Sequence, residues 1–162
     1  MTTHSEYRRS AEDTLSILDV VGRYGFVVDD RDWDGFEQVF TDDAVFDSRD
    51  HDHDPPRGFA PIKGRQEIVE AFRDLYVHPI QHMIVTSVVN DVSPDEVIVR
   101  SKGIFPIPDF QFFEGVYTDV VVRTESGWRI RHKTFKRFGQ GATPWMRESV
   151  REALRRGAIL DS

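Results

Sequence analysis

The sequence predicts a single α+β domain in which a curved, mainly antiparallel sheet wraps around about three helices from the first half of the chain. Three observations predict this fold. Apolar residues recur at helical spacing early in the chain, the later half consists of consecutive β-rich runs joined by turn segments, and 162 residues fit one domain. We expect a core over residues 10–138 and a helical tail over residues 144–157.

The first helix is predicted by the spacing of its apolar side chains. They fall at helical intervals at Ile17, Val21, Tyr24 and Val28. Ser10 precedes them and is a residue type that caps helices by accepting a hydrogen bond from a backbone N–H of the first turn. The pattern therefore predicts an amphipathic helix from Ser10 to about residue 30.

Two shorter helices follow the first. Asp32 can cap a second helix over residues 33–40, and a third is predicted over residues 65–76, where the apolar residues share one side. Between them, residues 44–47 form a predicted short strand. Residues 48–61 are rich in Asp, His and Pro and are predicted to form a polar loop.

The remaining sequence is predicted to be mostly sheet. Residues 80–92, 96–106, 112–124 and 128–138 are β-rich runs separated by short turn segments, which predicts an antiparallel meander with the helices against one face. Residues 144–156 then form a helix candidate with proline at its first position. This tail either closes the open mouth of the sheet or packs against a partner subunit.

Composition excludes several classes of function. The chain has 21 Lys and Arg against 28 Asp and Glu, and a net charge of −7 opposes nucleic acid and anionic membrane surfaces as general partners. There is no cysteine, so disulfides, thiolate metal sites and a cysteine nucleophile are excluded. The chain also lacks a signal-like apolar segment and an apolar run long enough to span a membrane, so we expect a soluble cytoplasmic protein.

One stripe of the first helix contains two glycines and ends at an aspartate. Leu18, Gly22, Gly25 and Asp29 share this side of the helix, and each glycine costs about 1 kcal/mol relative to alanine. Either another backbone packs closely there or the space receives a ligand, and the carboxylate on this stripe keeps the ligand alternative open. Tyr24 lies about 140° from Asp29 on an ideal helix, so the two can line one cavity only if it curls round the helix end.

A histidine in the first long strand is a candidate partner for Asp29. His82 alternates with Ile84, Thr86 and Val88 on one predicted face. It is either a core histidine whose ring nitrogens are satisfied by neighbours or the partner of a carboxylate. A carboxylate at one imidazole nitrogen fixes the tautomer and raises the basicity of the other nitrogen, which gives a general base near neutral pH.

The last two strands supply further candidates. Phe113, Tyr117 and Asp119 share one face of the third long strand, where Asp119 is either an outward residue or a polar contact inside a cavity. In the last strand, the inward side chains of Trp128 and Ile130 predict that His132 also faces inward and that Lys133 lies on the opposite side. Arg137 is either a surface residue or a contact for a polar substituent.

One loop contains residue types that bind metals. Residues 49–54 include a His-x-His pattern, but the segment lies before two prolines and no distant ligand is singled out, so we predict a solvated loop and no metal. A glycine-rich phosphate loop, a nucleophile elbow and a zinc-protease motif are all absent from the sequence. The sequence therefore lacks the motifs that usually indicate phosphoryl transfer or serine-type acyl transfer.

The chain resembles the SnoaL-like group of the nuclear-transport-factor-like (NTF2-like) superfamily. The resemblance covers roughly residues 14–138. It rests on Tyr24 through Asp29, on Arg-Asp-Trp-Asp at 31–34 leading to Phe-Thr-Asp-Asp-Ala-Val at 40–45, on Gln-His at 81–82, on Gly-Val-Tyr-Thr at 115–118 and on Gly-Trp at 127–128. It implies a cone-shaped α+β fold that hosts many activities.

The resemblance also implies site residues. The dehydratases of this group are similar to the present chain in the helix-end aspartate, here Asp29, and in the strand histidine, here His82, which act as a dyad. Tyr24 resembles a tyrosine of the bile-acid dehydratase, and Asp119 an acidic residue in its penultimate strand. The second histidine of scytalone dehydratase falls where this chain has Asp119, so the sequence departs from that relay. His132 is the alternative candidate for the role of that second histidine.

These residues predict a cofactor-independent lyase or isomerase acting on a small apolar ring-containing molecule. His82 would remove a proton, Asp29 would orient it and Tyr24 would bond the developing enolate or leaving hydroxyl. Phe26 and Trp33 join Phe113 and Tyr117 as predicted substrate contacts. The alternatives are base-induced dehalogenation and a non-catalytic binding protein. The resemblance further implies a homodimer or higher homo-oligomer.

Overall fold

The computed structural model describes residues 8–48, 60–74, 79, 81–107, 109 and 111–137. Two helices and one turn of 3-10 helix lie among them, named α1 (Ala11–Asp29), a 3-10 turn (Asp34–Gln38) and α2 (Arg65–Asp74). The same residues contain six strands: β1 (Phe40–Asp47), β2 (Ile62–Lys63), β3 (Met83–Ser93), β4 (Glu96–Ile107), β5 (Gln111–Thr124) and β6 (Gly127–Arg137).

The six strands form one sheet in the order β2-β1-β6-β5-β4-β3. Strands β3 to β6 are the predicted antiparallel meander. Strand β1 is antiparallel to β2 but runs parallel to β6, so the sheet is mixed. The α+β prediction is confirmed, and β2, which has only two residues, is the strand that the sequence pattern did not indicate.

Helix α1 matches its prediction at both ends. Ser10 Oγ accepts a hydrogen bond from the backbone N–H of Asp13 at 3.0 Å, which is the predicted N-cap. The side of α1 that includes Ile17, Val21 and Tyr24 is buried against the sheet. Burying each such side chain contributes about 1.5–3 kcal/mol, so tertiary packing rather than intrinsic propensity stabilises the helix.

The other helices differ in detail from the prediction. The second is a 3-10 turn, Asp34–Gln38, and the N–H of Gly35 donates to the Oδ1 of Asp32 at 3.0 Å. Helix α2 starts at Arg65 as predicted and is described to Asp74. The rest of the predicted third helix, the loop at 49–54 and the C-terminal helix at 144–156 lie outside the described residues.

Two strands change the face they present because each contains an extra residue. In β3 the register shifts between Ile84 and Thr86, and in β6 it shifts around Arg131. A one-residue bulge moves every later side chain to the other face. The predictions that Thr86 and Val88 share the face of His82 and that His132 shares the face of Ile130 are therefore wrong.

The bulge in β6 has the larger consequence. After it, Lys133 is fully buried and Phe135 packs against the core, while His132 lies on the opposite side of the strand. The Nε2 of His132 is buried without a hydrogen-bond partner among the described residues. The inward position predicted for His132 is thus taken by a lysine.

Within the described ranges, neither helix has the length and apolar character that a membrane span requires.

Candidate active site

The end of α1 positions Asp29. After the helix, the N–H of Asp32 donates to the carbonyl of Val27 at 2.9 Å and the N–H of Arg31 donates to the carbonyl of Val28 at 3.2 Å. This is the Schellman pattern, and it places Arg31 in the left-handed region with a φ of 56°. The turn ends the helix directly after Asp29, so this carboxylate lies at the end of α1, facing the start of β3.

Asp29 uses both carboxylate oxygens to hold His82. Oδ1 accepts a hydrogen bond from the ring Nδ1 at 2.6 Å, and Oδ2 accepts one from the backbone N–H of His82 at 2.7 Å. The side chains of His82 and Asp29 are 6% and 18% exposed. A carboxylate at Nδ1 favours the tautomer in which Nε2 carries the lone pair, which is the arrangement of a general base.

Gly25 explains how the strand comes so close to the helix. A Cβ at this position would lie 2.9 Å from the carbonyl oxygen of His82 and 3.5 Å from its Cβ. Close packing of another backbone therefore accounts for this glycine, and that backbone belongs to His82. At Gly22, by contrast, no described atom lies within 4 Å of the added Cβ.

His82 lines a cavity of about 410 Å³ between α1, α2 and the sheet. Its wall is mainly aromatic and includes the five phenylalanines Phe46, Phe72, Phe105, Phe113 and Phe135. The hydroxyl-bearing side chains Tyr24, Tyr117 and Ser48 lie in the same wall. An apolar pocket with a few convergent polar groups is typical of a small-molecule site.

Tyr24 and Asp29 meet at His82 although they occupy different sides of the helix. The Tyr24 ring lies edge-on to the imidazole with centroids 5.7 Å apart, and Phe105 contacts the imidazole in the same way at 5.5 Å. Tyr24 lines the cavity, whereas Asp29 lies behind His82 and is not among the described lining residues. The imidazole therefore connects the two groups, and no distortion of α1 is needed.

Tyr24 and Tyr117 form a pair in the cavity wall. Their ring centroids are 5.5 Å apart, and both residues are buried. Burial raises the pKa of Tyr24 and raises that of Tyr117. Both phenols therefore keep their protons at neutral pH, and because their hydroxyls hydrogen-bond each other, one proton of the pair is available to a further acceptor.

Asp119 lies inside the fold, where it contacts Lys133 and does not line the cavity. The Nζ of Lys133 donates to the Oδ1 and Oδ2 of Asp119 at 3.1 and 3.0 Å, and both side chains are fully buried. Burial raises the pKa of Asp119 and lowers the pKa of Lys133. Neither residue is among the described residues that line the cavity.

The other predicted contacts are divided between the cavity and the surface. Phe113 and Tyr117 line the cavity, and the exposed guanidinium of Arg137 stacks on the Phe113 ring at 4.6 Å from its centroid. Phe26 is 71% exposed on the outer side of α1. Trp33 packs against Phe36 with centroids 5.8 Å apart, so the structure brings neither Phe26 nor Trp33 to the cavity.

Lys133 is the functional candidate that the sequence reasoning missed. A signal for it existed, because Trp128 and Ile130 are apolar at one parity of β6 and Phe135 is apolar at the other. Buried apolar residues of both parities in one strand indicate a bulge between them. Placing Phe135 inward would have placed Lys133 inward as well.

Metal-binding side chains do not cluster in the part of the chain that the structure describes, where no group of three or more His, Asp or Glu residues could hold an ion. The His-x-His segment at 49–54 lies outside that part. The absence of a cofactor stays a prediction.

Comparisons with known proteins agree with this fold. A family model described as the SnoaL-like domain matches residues 9–134. A candidate aromatic ring hydroxylase from Novosphingobium aromaticivorans is 28% identical over 82% of this chain and 93% of that chain, with a TM-score of 0.65. No curated protein sequence matches the chain.

Two further solved structures share the fold. A candidate scytalone dehydratase from Novosphingobium aromaticivorans is 16% identical, covers 80% of this chain and 89% of its own, and has a TM-score of 0.62. A hexachlorocyclohexane dehydrochlorinase from Novosphingobium barchaimii is 18% identical, with 80% and 92% coverage and a TM-score of 0.65. With the family match over most of its length, the chain belongs to the SnoaL-like domain family.

Proposed function

We propose that this protein is a cofactor-independent acid–base lyase or isomerase of the dehydratase type, acting on a small apolar molecule that contains a ring. The observation that carries the proposal is the hydrogen bond from His82 Nδ1 to Asp29 Oδ1 at 2.6 Å, with the imidazole in the wall of an aromatic cavity. Geometry of this kind supports proton abstraction without a metal or an organic cofactor.

The proposed reaction starts with proton transfer to His82. Nε2 takes a proton from a carbon next to a carbonyl, the electron pair of that C–H bond forms an enolate, and Asp29 stabilises the resulting imidazolium. Tyr24 donates a hydrogen bond to the enolate oxygen. In a dehydration the enolate then expels a β-hydroxyl, which leaves as water with the proton from the imidazolium; in an isomerisation the proton returns to another carbon.

The cavity wall supports the proposed substrate class. Its rings pack face to face or edge to face, as in Phe105 with Phe113 at 4.9 Å and Phe105 with Phe135 at 5.2 Å. Such walls favour a flat apolar guest. Two of the similar structures bear the names of elimination enzymes, a dehydratase and a dehydrochlorinase. Dehydrohalogenation would use the same base and differ in the leaving group.

Proton exchange tests the proposal with a panel of simple compounds in place of an identified substrate. The protein is incubated in heavy water with cyclic β-hydroxy ketones and the matching ketones without the hydroxyl, and mass spectrometry follows water loss and deuterium uptake. We expect at least one ring compound to exchange or eliminate, and His82→Gln to abolish that activity. Arg131→Gln, which changes an exposed residue of β6, is the matched control.

If the protein is instead a non-catalytic binding protein, we expect a different result with the same panel. That result is saturable binding with no deuterium uptake by any compound. Activity that persists in His82→Gln would equally remove the proposed base.

The homodimer or higher homo-oligomer stays part of the proposal. Exposed apolar residues on the outer side of the sheet, including Met83, Val88 and Ile104, support it. Sedimentation equilibrium would measure the assembly directly.

A further inference from the structure

The ammonium of Lys133 lies between two tyrosine rings. Nζ is 4.1 Å from the ring centroid of Tyr24 and 3.9 Å from that of Tyr117. These are close cation–π contacts, and they are strong because the lysine is fully buried. One side chain thus contacts both hydroxyl-bearing rings of the cavity wall.

Asp119 fixes the lysine between those rings. Its two oxygens accept both of the Lys133 hydrogen bonds at 3.0 and 3.1 Å, and neither residue is exposed. Strands β5 and β6 carry the two residues opposite each other, since Asp119 is paired with Lys133 in the register. The ammonium cannot leave the rings without breaking this pair.

Stability alone is a poor explanation for such a pair. Removing two charges from water costs several kcal/mol per ion, and apolar residues of similar volume are often as stable or more stable in the same place. The apolar alternative would, however, leave nothing to attract the faces of Tyr24 and Tyr117. The contacts of Lys133 therefore indicate that it acts on Tyr24 and Tyr117.

We propose that Tyr24 and Tyr117 form a hydrogen-bonding subsite for the hydroxyl or oxyanion of a ring-bearing ligand, and that Lys133, held by Asp119, is the residue that positions both rings. The subsite lies in the cavity of the proposed function and deepens it. Its binding claim does not require proton transfer by His82.

The electrostatics suit a donor site. Because burial raises the pKa of both tyrosines, both stay protonated, and their hydroxyls hydrogen-bond each other. A cation at the face of a phenol ring draws electron density from it, which strengthens the hydroxyl as a donor toward a developing negative charge. The hydrogen-bonded pair would offer its remaining hydroxyl proton to a ligand oxygen, while the phenylalanines hold the ligand ring.

Ligand binding tests the subsite, with β-naphthol and naphthalene as probes that differ by one hydroxyl. We expect Tyr24→Phe and Tyr117→Phe to weaken β-naphthol binding by roughly threefold to tenfold each, the range of a neutral hydrogen bond, and to change naphthalene binding by less than about twofold. Equal losses for both probes would overturn the subsite.

A double-mutant cycle tests the role of Lys133. The variant Lys133→Gln with Asp119→Asn keeps polar side chains of similar shape without charge, and we expect it to weaken β-naphthol binding by a similar factor. In the Tyr24→Phe, Tyr117→Phe background the same exchange should have almost no further effect, because the residue acts through the tyrosines. Additive losses in both backgrounds would show a general structural role and contradict the proposal.

A matched control comes from the same strand. Arg131 and Glu96 form an exposed pair at 2.6 Å, and replacing both with glutamine removes equal and opposite charges without touching the cavity. This variant should bind both probes like the wild type. A loss as large as that of the buried exchange would overturn the positioning role.

Fluorine NMR of the unmutated sequence keeps the proposal falsifiable if the charge-free variant does not fold. With 3,5-difluorotyrosine incorporated, a ring that is held in place gives separate resonances for its two fluorines, whereas a freely flipping ring gives one averaged resonance. Resonances assigned through the Tyr→Phe variants should show that Tyr24 and Tyr117 are held. Averaged signals for these two would refute the proposal, whether or not His82 proves to be a base.

Discussion

Two carboxylates of this protein each contact a nitrogen-bearing side chain, and the two pairs differ in burial. Asp29 contacts the imidazole of His82, and Asp119 contacts the amine of Lys133. Asp29 contacts His82 at 2.6 Å where the two side chains are 18% and 6% exposed. Asp119 contacts Lys133 at 3.0 Å with both side chains fully buried. The first pair joins helix α1 to β3 across 53 positions of sequence, and the second joins neighbouring strands across 14.

Access to the cavity, not the chemistry of the pair, separates the two proposed roles. His82 lines the cavity, so its proton can be exchanged with a guest molecule. Lys133 reaches the cavity only through the rings of Tyr24 and Tyr117. One pair is suited to move a proton, and the other is suited to hold its neighbours still.

We expect the largest effect on turnover from neutralising Asp29, whose partner His82 lines the cavity. Asp29→Asn keeps the size of the side chain but removes the charge that stabilises an imidazolium at His82. Turnover of any substrate found should fall by roughly 10²–10⁴-fold, the range of general acid–base catalysis, while the melting temperature changes little. Steady-state kinetics and thermal unfolding measure the two quantities.

Asp30→Asn is the matched control for that variant, since the next residue along is also a carboxylate but is exposed. Its turnover should equal that of the wild type. If both variants lost activity equally, general surface charge rather than the contact with His82 would be responsible.

For the fully buried pair Asp119–Lys133 we expect the opposite result, in which stability changes more than turnover. Lys133→Met leaves the Asp119 carboxylate buried without its cation, which should lower the free energy of unfolding by about 3–5 kcal/mol. Adding Asp119→Leu should recover most of that loss, because no buried charge then remains. Urea denaturation of both variants measures this, and a double variant no more stable than the single one would contradict it.

The sequence was sufficient for most of the fold. Helical spacing and the Ser10 cap predicted α1 to within a residue, and alternation with turn segments predicted β3 to β6. Local patterns carry this information because each element must bury one face. The position of β1 beside β6 could not be derived from its own residues, since strand pairing is decided by the whole sheet.

The site was predictable only in part. Asp29 and His82 could be singled out because a carboxylate and an imidazole are expensive to bury alone, but their contact depends on the Schellman turn at Arg31 and the close approach at Gly25. The faces of His132 and Lys133 were exchanged by one extra residue. A bulge leaves normal alternation on each side, so its place is visible only when both segments are compared.

Two glycines of α1 test the close approach of β3 that brings His82 to Asp29. Gly25→Ala would put a Cβ 2.9 Å from the His82 carbonyl oxygen, and the strand must shift. We expect a net loss of about 1–3 kcal/mol in stability from overpacking, together with reduced turnover. Gly22→Ala meets no described atom within 4 Å and should instead add up to about 1 kcal/mol of helix stability.

Equilibrium unfolding and turnover of these two variants decide the point. The same substitution, three residues away on one helix, should have opposite signs. If Gly25→Ala were as stable and as active as Gly22→Ala, the glycine would not be required for the contact between Asp29 and His82.

A third carboxylate extends the comparison to the surface. Asp13 accepts hydrogen bonds from Arg123 Nη2 at 2.9 Å and from Trp128 Nε1 at 3.0 Å, and the Arg123 guanidinium lies 4.5 Å from the Trp128 ring centroid. The Arg123 hydrogen bond is the largest of the effects that lower the pKa of Asp13, from 3.8 to about 2. Unlike Asp119, which is fully buried, Asp13 keeps contact with solvent.

The smallest effect we predict is the acid dependence of that contact. Because the folded pKa of Asp13 is the lower one, its contribution to stability is complete above the unfolded value of 3.8 and is lost as the pH falls toward 2. Asp13→Asn should therefore be less stable than the wild type at neutral pH, and the difference should shrink through that window. Urea denaturation at a series of pH values measures it. Arg123→Gln should abolish the same pH-dependent difference, because it removes the main cause of the lowered pKa; a difference that stayed constant from pH 5 to pH 2 would show that Asp13 contributes by packing and not by charge.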